Sequence, residues 1–112
     1  MCSNLYSVTF NKGLQKIGSK AFLKCENLQT IELPETLTEI GADAFSYCNS
    51  VKSLEIPSSV ENIGDYAFFS TSLGIDKIIV HNSESNITLG KDWTPSKQDS
   101  VREKVEVEFV GE

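Results

Sequence analysis

The sequence predicts an α/β solenoid: a right-handed stack of short repeats, with a parallel sheet on one face and short helices or turns on the other. Three observations carry this. The first is a period, since the cysteines stand at positions 2, 25 and 48, steps of 23, and many other positions keep that step. The second is a change of rhythm inside each period, from strict alternation to a spacing near that of a helical turn. The third is size: a unit this short cannot bury an apolar face alone, whereas stacked copies bury a continuous core.

The elements follow in order. Leu5, Leu28 and Val51 are in step, as are Val8, Ile31 and Leu54, and then Phe10, Leu33 and Ile56. In the second copy Ile31 and Leu33 alternate with polar Thr30 and Glu32, the pattern of a strand with one buried face. The equivalent strand of the first copy covers residues 6–10. Pro34 and Pro57 end their strands, because proline has no N–H to give a ladder. Beyond them Leu37, Ile40, Ala44 and Phe45 take the near-helical spacing. Gly18, Gly41 and Gly64 follow Ile17, Ile40 and Ile63, where the backbone needs either a positive φ or a close approach. Ser19 and Asp65 stand where they can N-cap a short helix, although Ala42 in the same place cannot. Ala21, Ala44 and Ala67 precede Phe22, Phe45 and Phe68; the alanine lets this segment lie close to the strands while the phenylalanine fills the core.

The fourth copy departs from the pattern. Thr71 replaces the cysteine, and the strand at 77–80 arrives one residue late, since Leu54 to Ile78 is 24 positions. Residues 81–100 are polar and turn-rich, with a brief strand or turn at 86–89 and Trp93 plugging the end of the core. Residues 105–110 alternate again and read as a closing strand, with Glu106 and Glu108 turned outward against further pairing. The expected organisation is one domain, 1–112, with repeats at about 2–24, 25–47 and 48–71, a degenerate one at 72–100 and a capping strand at 101–112. That gives about five parallel strands, the first of them an open edge.

The run C-x-x-L-x-x-V/I-x-L/I-P followed by L-x-x-I-G-x-x-A-F-x-x-C resembles the BspA-like, or Treponema pallidum-type, leucine-rich repeat, and does so over residues 2–80. The resemblance implies a bacterial or protozoan surface or secreted protein that binds other proteins, in some members as an adhesin for host matrix proteins or cells. It leaves open a structural spacer or accessory repeat domain with no ligand of its own.

Composition narrows the functions further. A length of 112 residues suits one domain, and 39% apolar with 23% charged residues is ordinary for a soluble protein. No apolar run approaches the length of a membrane span. The N-terminus shows no signal peptide and starts at a repeat boundary, which reads as a fragment. Ten basic against sixteen acidic residues give a charge of −6, which argues against nucleic acid or an anionic membrane as partner. Zinc sites need cysteines a few residues apart. Cysteines at equivalent repeat positions instead stack as buried small hydrophobes, about 5 Å apart. At that distance a disulfide between neighbours also remains open. There is no phosphate loop, dinucleotide fingerprint or metal motif. The single histidine, His81, has no serine–base–acid arrangement around it and reads as a turn residue. No enzyme, cofactor or metal site is expected. Asn86-Ile87-Thr88 is an N-glycosylation triplet, of a kind that arises often by chance and matters only in a eukaryotic secretory protein.

The candidate site is the solvent-facing side of the strands, the surface along which repeat proteins commonly bind. The register gives one column as Thr9, Glu32, Glu55 and Ile79, and a second as Ser7, Thr30, Ser53 and Lys77. These eight are the candidate ligand-binding residues. Asn11, Pro34, Pro57 and His81 form a third column at the strand ends. Glu32 and Glu55 make a short acidic stripe, with an exposed Ile79 at its end. The face is expected to be flat and to offer no pocket, which argues against reading the two glutamates as a glycosidase pair. The expected partner is a protein, such as a host matrix or cell-surface protein. Self-association through the open first edge is the second possible contact.

Overall fold

The computed structural model describes residues 4–48, 50, 51, 54–69, 77–91, 93 and 106–110, with the backbone alone at 77 and 106. Two rows of short parallel strands run through the stack. The front row holds β1 (Ser7–Thr9), β3 (Thr30–Glu32), β5 (Leu54–Ile56), β7 (Lys77–Val80) and β9 (Glu106–Phe109). Here β1 pairs with β3, β7 pairs with both β5 and β9, and β3 lies beside β5. The second row holds β2 (Lys16–Ile17), β4 (Glu39–Ile40), β6 (Asn62–Ile63) and β8 (Thr88–Leu89), paired in that order. The period sets the register: Val8 faces Ile31, Ile17 faces Ile40 and Ile40 faces Ile63, each a step of 23. The late strand arrives as expected, with Ile78 opposite Leu54.

Of the two forms expected for the second half of the repeats, helices or turns, the described residues show turns. Among the described residues the helix content is one 3₁₀ turn, Glu84–Asn86, in the loop before β8. The segment after each Ile-Gly is a chain of turns, and the hydrogen bonds show why. The N–H groups of Ala21, Leu23 and Cys25 bond locally, to the carbonyls of Gly18, Lys20 and Phe22. Those of Lys20, Phe22 and Lys24 cross to Ala42, Ala44 and Ser46 of the next turn, at 2.7–2.9 Å. An α-helix spends every interior N–H on its own chain; here half of them tie one repeat to the next. The alternation requires left-handed residues, which are Lys20, Lys24, Asp43, Tyr47 and Tyr66, with φ between 56 and 62°. Ser19 and Asp65 accordingly cap no helix. Instead Asp65 Oδ1 accepts the N–H of Lys91 from the following turn, at 2.8 Å.

The glycines serve close approach and not a positive φ, since no glycine has one. A Cβ on Gly41 would lie 2.6 Å from the backbone N of Ser19, and one on Gly64 would lie 2.5 Å from that of Ala42. Gly90, after β8, continues the series against Asp65 at 2.4 Å. Gly18 breaks it, with nothing within 4 Å among the described residues.

Between the rows lies a stacked apolar core. Leu28 and Val51, Leu37 and Val60, and Ile40 and Ile63 are buried at their repeat positions. The rings of Phe22, Phe45 and Phe68 stack at 5.2 and 5.3 Å, nearly parallel, and Phe10 meets Phe22 edge-on. Trp93 is buried at the far end, its carbonyl accepting the Phe68 N–H. Cys25 is buried and disulfide-bonded, whereas Cys48 is a buried free thiol. Cys2 and Thr71 lie outside the described residues.

Candidate functional site

The outer face of the front row follows from alternation on each strand. Buried Ile31 puts Thr30 and Glu32 outward, buried Leu54 and Ile56 put Glu55 outward, and half-buried Val8 leaves Ser7 and Thr9 exposed. Ser7 stands opposite Thr30, and Thr9 opposite Glu32. Glu55 stands opposite Ile79, which is half-buried and not exposed as expected. Ser53 lies outside the described residues, and of Lys77 only the backbone is described.

The stripe carboxylates are engaged by neighbours. Thr9 Oγ1 donates to Glu32 Oε2 at 3.2 Å, and His81 Nε2 lies 2.7 Å from Glu55 Oε1. His81 is held in place by its own N–H, which donates to the Ile56 carbonyl at 2.9 Å. It is thus a surface partner of Glu55 and not merely a turn residue. Both side chains are about half exposed or more, at 45 and 65%, so an ion pair here contributes at most about 1 kcal/mol.

The face is not flat. One hollow of about 390 Å³ is lined by Thr30, Glu32, Glu35, Glu55, Pro57 and His81, among others. A second of about 480 Å³ is lined by Thr9, Phe10, Lys12, Glu32, Pro34 and Thr36, among others. The two meet at Glu32, Leu33 and Glu35. Together they make an open groove that spans four turns, from Thr9 in the first to His81 in the fourth, with a partly apolar floor and an acidic rim. The columns locate Glu32 and Glu55, but Phe10, Leu33 and Glu35 escape an alternation argument that assigns each residue wholly to core or solvent. Phe10 and Leu33 are half-buried and serve both.

The arrangement offers binding chemistry. Carboxylate oxygens accept hydrogen bonds, and half-buried apolar side chains supply contact area. Among the described residues no three His, Cys, Asp or Glu side chains group as metal ligands. The free thiol, Cys48, lies in the core away from the groove, and burial pushes it up to about 11.

Parallel strands stacked at a near-constant step, with an apolar ladder inside and a polar row outside, define a leucine-rich-repeat solenoid. The family model for the BspA type leucine rich repeat region matches residues 1–91 in six copies. The chain therefore belongs to the BspA-type leucine-rich repeat family. Membership makes it a repeat module of the kind that commonly mediates protein interaction and is generally not catalytic. No curated protein and no solved structure matches it. Among the described residues no helix is long and apolar enough to cross a membrane.

Proposed function

We propose that the chain is a protein-binding module of a surface or secreted protein, acting in adhesion or host-protein contact through its outer strand face. The observation behind this reading is the groove, whose two hollows meet at Glu32, Leu33 and Glu35 and draw their lining from four successive turns. A protein partner fits such a surface better than a small molecule, because the groove is open and its groups are spread along the stack. Ser7, Thr9, Thr30, Glu32 and Glu55 are its polar contacts, Lys77 and Ile79 continue the two columns by register, and Ser53, outside the described residues, joins them on the sequence period alone.

The test is a binding screen of the purified chain against extracellular-matrix and plasma proteins, run beside the Glu32→Lys/Glu55→Lys double variant. Both positions are exposed, so the variant is expected to keep the wild-type unfolding midpoint while losing at least tenfold in affinity. Binding with unchanged affinity in the variant overturns the placement on this face. No binding to any of these proteins favours a spacer that displays another domain.

A further inference from the structure

The loop between β7 and β8 is longer than its counterparts. Ile31 to Glu39 and Leu54 to Asn62 are 8 positions each, while the paired residues Ile78 and Thr88 are 10 apart. The two added residues are taken up by the 3₁₀ turn Glu84–Asn86. Asn82 braces the base of the loop, its Nδ2 lying 3.3 Å from the Ser58 carbonyl and 3.5 Å from that of Val60. Ile87 then plugs back into the core at 7% exposure, with extended backbone at φ −130° and ψ 135°. Neighbours in an extended chain point oppositely, so Asn86 and Thr88 are both exposed around the buried isoleucine.

These residues are the triplet Asn86-Ile87-Thr88. Of the seven asparagines in the chain, Asn86 alone starts an Asn-x-Ser/Thr triplet, and it sits at the end of the lengthened loop. We propose that Asn86 is an N-glycosylation site that carries one oligosaccharide on its side-chain nitrogen. The proposal rests on the surface-or-secreted reading, and on a eukaryotic source, since the triplet matters only in a eukaryotic secretory protein. The donor is an oligosaccharide linked to a polyprenyl diphosphate. Asn86 Nδ2 forms a bond to the anomeric carbon of the first sugar while the bond from that carbon to the phosphate oxygen breaks. The lipid diphosphate leaves with the electron pair, and one amide proton passes to a base of the transferase. Nothing is oxidised or reduced. The folded chain accommodates the product: among the described residues Asn86 Nδ2 makes one long contact, 3.4 Å, to Asn82 Oδ1, and exposure at the end of the loop leaves room for a bulky, solvated group.

The experiment uses the full chain, directed by an added leader through a eukaryotic secretory pathway, and the same chain taken from its natural source. Intact mass is read before and after peptide-N-glycosidase. The expected result in both is the mass of one glycan, removed by the enzyme with conversion of Asn86 to aspartate. It should be absent in Asn86→Gln, whose exposed position spares the fold, and retained in Thr88→Ser. An unmodified Asn86 in the secreted recombinant chain overturns the site. A glycan on the recombinant chain and none on the natural one overturns Asn86 as a natural modification site, while the surface-or-secreted reading is decided separately, by whether the natural chain is recovered at the cell surface or in the medium. Binding in the screen above is read separately and decides neither outcome.

Discussion

Cys48 shows how packing decides the chemistry of one side chain. Its Sγ lies 3.2 Å from the Phe22 carbonyl, and burial raises the thiol from 9.0 to about 11, against a smaller opposing pull from the backbone at Cys25. Only the thiolate is nucleophilic. Two units of pKa lower the thiolate fraction about 100-fold near neutrality. Alkylation of Cys48 in the native protein is therefore expected to be at least that much slower than in urea, as read by mass spectrometry. Equal rates would mean that the thiol is not buried. The sign for stability follows: between 9.0 and about 11 the folded state keeps a proton that the unfolded state has lost, so this thiol's contribution falls as pH rises through that window. The glycines make a sharper contrast. Gly64→Ala forces a Cβ to within 2.5 Å of the Ala42 backbone N and is expected to cost about 1–3 kcal/mol. Gly18→Ala meets nothing and should be neutral or stabilise by up to about 1 kcal/mol. Urea unfolding midpoints check both. Phe45→Ala removes a fully buried ring stacked on two others, an expected loss of about 3–5 kcal/mol.

At the scale of the element, the strands were legible, while the choice between helices and turns in the other half was not. Alternation at Thr30, Ile31 and Glu32 states the buried face outright, and the step of 23 states the register. The spacing of Leu37, Ile40, Ala44 and Phe45 fits a helix equally well, because both a helix and this coil return an apolar side chain to the core every three or four residues. What separates them is where the N–H groups point. That depends on left-handed residues such as Lys20 and Tyr66, whose side chains carry no signal for the conformation. The site was legible to the same degree. The register placed Glu32 and Glu55 on one face, but the hollows depend on how far Phe10 and Leu33 fill the strand ends, and the Glu55–His81 pair spans 26 positions, off the period. A substitution distinguishes the two backbones. In a helix Lys20→Gly would cost about 1 kcal/mol. At φ 61° it removes a penalty that only a side chain incurs, so Lys20→Gly and Lys24→Gly are each expected to leave stability unchanged or raised. A loss of 1 kcal/mol or more at either, by equilibrium unfolding, would restore the helix.

At the scale of the molecule, charge is divided by turn. Residues 4–25 carry four lysines and no acid, and residues 26–48 carry five acids and no base. Lys12, Lys16 and Lys20 stand one period before Glu35, Glu39 and Asp43, and Lys16 reaches Glu39 at 3.8 Å. The first turn is thus drawn to the second by opposite charge as well as by the bonds from Lys20, Phe22 and Lys24. Both Lys16 and Glu39 are well exposed, so the attraction is weak per pair and screened by salt. Stability in a stack is a sum of nearest-neighbour terms. Among the described residues the first turn packs on the second alone, whereas the Phe45 turn is held on both sides, with its Asp43, Phe45 and Tyr47 N–H groups bonded to Asp65, Ala67 and Phe69. Opening the first turn breaks one such interface, and exposing the Phe45 amide requires breaking the next. Amide hydrogen exchange should therefore be at least tenfold faster at Lys20 and Phe22 than at Asp43 and Phe45. Added salt should widen the gap, because it weakens the one interface where a basic turn meets an acidic one. Equal protection at all four amides, unmoved by salt, would mean that the stack opens all at once and that the division of charge holds no turn in place.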